Sequence, residues 1–289
     1  MKKYSSFFLA LFLVFTPSLF SMDWPSVSGV MRRNFGWNNE GQPHLGISFD
    51  AEEALTAAED GELLYRRREG DTASRLPSPL GSWAAIDHGD GIVSIYSRFD
   101  DKLPEAVPSQ VEKGLALGTA GISGWSSQKG FYFQLFDRRE RRWINPSLII
   151  TPPEDTRPPE IISVRLRDNQ GNLINPFQTR NIGQGRYTVI VHAIDTRRLP
   201  SEPPLAPYRI ICSLNGIEVG ILNFETYSAR DGQLMVYRNG LVPVRQIYSP
   251  APACEIADVW FSRGQTSLEI IAQDITGNAR NAIYRLVVE

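Results

Sequence analysis

Apolar and polar residues alternate in short runs along most of the chain, and Gly, Pro, Asn and Asp break the runs. The alternation is clearest at 83–87, 92–96 and 131–135, and it predicts half-buried β-strands with one face toward a core. Beyond residue 160 the same period predicts strands at Glu160–Arg167, Gly185–Ile194, Tyr208–Leu214, Ile217–Phe224, Thr266–Gln273 and Tyr284–Val288. Turns are marked by Asn169-Gln170-Gly171-Asn172, Asn215-Gly216 and Thr276-Gly277-Asn278. Asn215-Gly216 between two apolar runs is the signature of a two-residue hairpin, because both positions tolerate positive φ. Residues 52–61 contain helix formers but no apolar face, and are read as a connection between strands. The expected fold class is all-β.

Pro152, Pro153, Pro158 and Pro159 crowd one stretch, removing backbone donors and favouring an extended linker. The expected organisation is a signal peptide over 1–21, an antiparallel β unit over 22–150, a proline-rich linker over 151–159 and an immunoglobulin-like β-sandwich over 160–289. Lys2-Lys3, the apolar stretch from Phe7 to Phe15 and the cleavage zone 17–21 carry the export signal. That stretch is shorter than the roughly 20 residues needed to span a bilayer, and no later stretch qualifies. The expected location is the periplasm or cell envelope, with no transmembrane segment after signal removal.

With 30 basic and 32 acidic residues in 289, the net charge of −2 gives no overall footprint for nucleic acid. Basic runs at Arg66-Arg67-Arg68 and around Arg138 to Arg142 read as solvated turns or edges. An oxidising envelope permits a Cys212–Cys254 disulfide, and two separately buried thiols are the equal alternative. No phosphate loop, Gly-x-Ser-x-Gly elbow or Cys-x-x-Cys is present.

Three segments stand out between residues 35 and 137. The first is Phe35-Gly36 followed by Pro43-His44-Leu45-Gly46-Ile47-Ser48-Phe49-Asp50. The second runs from Ala85 through His88-Gly89-Asp90-Gly91 to Tyr96-Ser97-Arg98, and the third joins Gly118 to Gly121 with Gly130-Phe131-Tyr132-Phe133-Gln134-Leu135. Their order and spacing resemble the lysostaphin/LytM-type zinc metallopeptidases over about residues 30–150. The resemblance implies a zinc held by a histidine, an aspartate four residues on and the second histidine of a His-x-His pair, with an open position for water.

Carried over residue by residue, His44 matches the first ligand. Ser48 stands in place of the aspartate, Gly130 and Tyr132 in place of His-x-His, and Arg98 in place of an assisting histidine. Asp50 lies two residues from the ligand position, a displacement of about 6–7 Å along a strand, while zinc takes oxygen ligands near 2.0–2.2 Å. His88 matches a non-ligand turn histidine, and His192 lies outside the resemblance. The expectation is therefore a pseudoenzyme with no cofactor. Its vestigial groove comprises His44, Ser48, Asp50, Arg98, Gly130, Tyr132 and Gln134, and binds peptidoglycan or an envelope protein such as a cell-wall hydrolase. Two alternatives stay open: an active zinc endopeptidase of peptidoglycan with a rearranged site, and an architectural envelope component.

Overall fold

The structure, a computed structural model, describes residues 22–26, 28–50, 54–69, 76–100, 108–196, 202–249 and 251–289. The expected signal segment, 1–21, lies outside the described residues. Strands dominate, and the helical turns among the described residues are the short 3-10 segments Pro146–Leu148 and Val244–Gln246. The chain is all-β, and no described helix is long and apolar enough to cross a membrane.

The alternating runs form the expected strands: Ser82–Asp87, Ile92–Phe99 and Phe131–Asp137 in the first half, and Glu160–Arg167, Gly185–Ile194 and Arg209–Leu214 in the second. Asn215 and Gly216 both adopt positive φ, 52° and 80°, and turn the chain into its next strand. That strand runs on to Arg230, beyond the expected end at Phe224, because it takes Arg209–Leu214 as a partner along its first half and Gln233–Arg238 along its second. The 52–61 connection holds a short strand, Ala54–Thr56, paired with Ala116–Thr119.

Most strands join one fifteen-stranded sheet, and a four-stranded sheet carries Leu173–Ile174, Glu160–Arg167, Gly185–Ile194 and Cys254–Phe261 in that order. Two apolar cores result. One gathers Ile47, Phe49, Ile86, Tyr96, Phe131 and Phe133. The other fills the space between the large sheet (Ile210, Leu222, Leu268, Ile270) and the small one (Val164, Leu166, Val189, Val191). Each core borrows from the other half of the chain: Phe35 is buried in the second and Leu205 in the first.

The disulfide alternative is not what forms. Cys212 lies in the large sheet opposite Gly220 and Ile270, Cys254 in the small sheet opposite Val191, and both are free, buried thiols. Burial pushes each up to about 12, so neither is a thiolate at neutral pH.

Candidate functional site

The site is built on Ile47–Asp50, which has Val30–Arg33 on one side and Phe131–Asp137 on the other. The register sets Phe131 against Phe49, Tyr132 against Ser48 and Phe133 against Ile47. Because side chains alternate across a strand, the Phe49 and Phe131 rings stack in the core, with centroids 4.8 Å apart. Ser48 and Tyr132 are thereby aimed at the opposite face, where His44 waits in the loop before the strand. Gly46 is required in that loop: a Cβ there would lie 2.2 Å from the Phe133 carbonyl oxygen and 2.8 Å from the Tyr132 ring.

His44 Nε2 and Ser48 Oγ are hydrogen-bonded at 2.8 Å. The imidazole lies 4.6 Å from the Tyr132 ring, tilted by 33°. The Tyr132 hydroxyl accepts from the Leu45 N–H at 3.2 Å, and the Gln134 amide donates to the Leu45 carbonyl at 3.4 Å. The Arg98 guanidinium carbon sits 5.2 Å from the Tyr132 ring centroid, a cation–π arrangement. Arg98 adopts φ 69°, an uncommon conformation for a residue with a side chain, and its Nε is buried without a hydrogen-bond partner. Burial, then Arg98, then Arg33 push His44 down to about 3, so the ring is neutral. Burial also lowers the Arg98 pKa, with Tyr132 opposing and Arg33 reinforcing the shift.

A zinc ion does not fit these residues. His44's ring nitrogen is engaged by a hydroxyl, its strand-borne neighbours are a phenol and a serine, and two guanidinium groups bear on it electrostatically. Among the described residues, His44 belongs to no group of three convergent His, Cys, Asp or Glu ligand atoms; the one such group is Asp155, Asp195 and Asp274. In that group Asp274 accepts hydrogen bonds from Thr276 and Asn278 of its own turn. Asp50 is paired with Arg32. His88 is a turn pin: its Nδ1 meets the Asp60 carbonyl and its Nε2 the Ser94 hydroxyl, both at 2.7 Å.

Of the seven residues expected in the groove, Ser48, Asp50, Arg98 and Gly130 line an open cavity of about 680 Å³. His44, Tyr132 and Gln134 are buried beneath it, each 9% exposed or less. The cavity also takes Arg33, Trp37, Trp125 and Lys129, and Pro203 and Pro204 close one wall. Their place in the groove went unread in the sequence. Arg33 and Trp37 flank the Phe35-Gly36 motif and were within reach, whereas Pro203 and Pro204 arrive from a distant stretch that carries no motif.

A protein-family model matches residues 158–289, under half of the chain. No curated protein matches. Among solved structures, the chain is similar to a catalytic-domain variant of EnpA, a prophage-encoded M23 protein from Enterococcus faecalis, at 20% identity and TM-score 0.35, over 41% of this chain and 87% of that one. It is similar to a chain of the SpoIIQ–SpoIIIAH pore-forming complex at 14% identity and TM-score 0.37, over 46% and 92%. It is also similar to the catalytic domain of lysostaphin from Staphylococcus simulans at 19% identity and TM-score 0.30, over 40% and 81%.

Proposed function

We propose that this chain is an exported cell-envelope protein that acts by binding, through a metalloendopeptidase-like unit over 22–150 that has lost its metal chemistry. What it holds is peptidoglycan or an envelope protein such as a cell-wall hydrolase, and it needs no cofactor. One observation carries the reading. The imidazole that matches a zinc ligand is buried, neutral, hydrogen-bonded to Ser48 and covered by Tyr132, beneath an open groove that presents guanidinium and indole groups. Aromatic faces and bidentate cations suit a glycan or a peptide stem without any bond being broken.

The unit after the 151–159 linker reads as an immunoglobulin-like sandwich. Support comes from the core shared by two sheets and from Tyr187, whose hydroxyl donates to the carbonyl of Gly183 four residues upstream.

The test joins metal analysis with co-sedimentation on purified peptidoglycan and pull-down of envelope hydrolases, using the wild type, Arg98→Ala and Trp125→Ala. Trp125 is 79% exposed, so its removal leaves the fold intact. The expected result is no stoichiometric zinc, with binding weakened about tenfold or more in both variants, the loss of roughly 1.4 kcal/mol. Stoichiometric zinc that disappears in His44→Ala, together with peptidoglycan cleavage, would reinstate the endopeptidase. Binding that survives both groove substitutions would move the contact elsewhere.

A further inference from the structure

We propose that the groove receives an extended, acidic segment of a partner protein, its carboxylates meeting Arg98, Arg33 and Lys129 and its apolar side chains resting on Trp125 and Trp37. This rests on the reading of the groove as a binding surface and names the class of ligand it takes.

Charge is the first argument. Among the described residues, the one acidic residue lining the cavity, Asp50, is already paired with Arg32. Among the described residues, none of Arg98, Arg33 and Lys129 forms an ion pair. Arg98 is half-buried, with an Nε that has no hydrogen-bond partner. Taking a guanidinium out of water without an anion is costly, and a carboxylate is the group whose two oxygens match its fork. The shift that burial and Arg33 impose on Arg98 runs in the same direction, since an approaching anion relieves both.

The second argument separates a peptide from a sugar. Sugar hydroxyls are matched best by carboxylate and amide acceptors, and among the described lining residues the one carboxylate and the one amide, Asp50 and Gln128, each already have an oxygen on Arg32. Apart from the hydroxyls of Ser48, Ser126 and Ser127, the remaining functional groups of the lining are cationic or aromatic. Trp125 is 79% exposed, with Ile122 close by in sequence at 65%. Tryptophan and arginine are the side chains that dominate binding energy between proteins. The cavity's volume of about 680 Å³ lies in the range of ligand clefts, and Pro203 and Pro204 in its lining offer no backbone donors to compete for the ligand.

A random heptapeptide display library panned on the purified full chain at low salt tests this. Selected sequences are expected to be enriched in Asp and Glu. A synthetic peptide of the winning sequence, titrated by tryptophan fluorescence, should bind at least tenfold more weakly to Arg98→Gln, and also weaken for Lys129→Gln, whose exposed side chain leaves folding untouched. Its affinity should fall steeply as salt screens the pairing. Selection of peptides without acidic enrichment, selection of none, or affinity unchanged in both variants overturns the proposal. If peptidoglycan binds through the groove while no acidic peptide is selected, the binding role stands and the peptide class falls. If neither binds, both fall.

Discussion

His44 shows how far one residue can be moved from the chemistry its position suggests. Its folded pKa of about 3 lies well below the ordinary 6.5, with burial the largest cause and Arg98 and Arg33 adding to it. Above pH 6.5 both folded and unfolded chains carry a neutral ring, and the full stability is present. As pH falls below 6.5 the unfolded chain takes up a proton that the folded chain refuses, so stability is lost until the folded pKa is reached. One proton corresponds to about 1.4 kcal/mol per pH unit. His44→Gln keeps an amide beside Ser48 and removes that titration. The drop in melting temperature between pH 7 and pH 4 should therefore be smaller in the variant than in the wild type. An equal drop would show that His44 does not carry the acid sensitivity. His88, also lowered chiefly by burial, is present in both proteins and cancels in the comparison.

At the scale of strands, the register brings together positions that the sequence resemblance assigns to metal ligands, without the ligand side chains. Ser48 and Tyr132 are directly opposed across the register, and His44 touches both. Ser48→Asp with Tyr132→His would place a carboxylate and an imidazole on either side of the existing one, and Arg98→Gln would remove the nearby repulsion. The triple variant is expected to take up zinc one-to-one, measured by elemental analysis after dialysis, where the wild type takes up none. A metal-free, folded variant would mean that the strand geometry does not hold these three positions at ligand distances. Gly130 must be left alone: a Cβ there would come within 2.3 Å of the Phe49 carbonyl oxygen. Much of this was legible in the chain. The period-two runs and Asn215-Gly216 come from local rules of strand geometry and turn preference, whereas His44 and Tyr132 were singled out by the family resemblance. The burial of His44 was not legible, because it depends on Tyr132 lying across it from another strand. Nor was Cys254–Phe261, where Ala257, Asp258 and the exposed Trp260 blur the alternation.

For the whole molecule the question is whether two units joined by a proline-rich stretch behave as two. Arg142–Ile144 pairs with the long strand of the second half, setting Trp143 against Tyr227, so the large sheet runs unbroken from one half into the other. Asn34 and Ala206 exchange hydrogen bonds at 2.7 and 2.8 Å, the Asn145 amide donates to the Phe224 carbonyl, and the Tyr248 hydroxyl donates to the Gly36 carbonyl. Between these ties Phe35 is fully buried in the far core, tilted against Tyr227 with centroids 5.0 Å apart. None of these pairings leaves a periodic trace, since the partners lie far apart in sequence. Shared strands and exchanged core residues predict one cooperative transition, because neither core can open without exposing apolar surface of the other. Phe35→Ala removes a ring from the middle of that arrangement, and deleting a buried phenylalanine costs about 3–5 kcal/mol. Urea unfolding followed by two probes, tryptophan fluorescence and far-ultraviolet circular dichroism, should give coincident curves in the wild type and in the variant, with the variant's midpoint lower. Separate transitions, or a Phe35→Ala curve in which only one phase moves, would show two independent units and would leave Pro203 and Pro204 as chance neighbours of the groove rather than its wall.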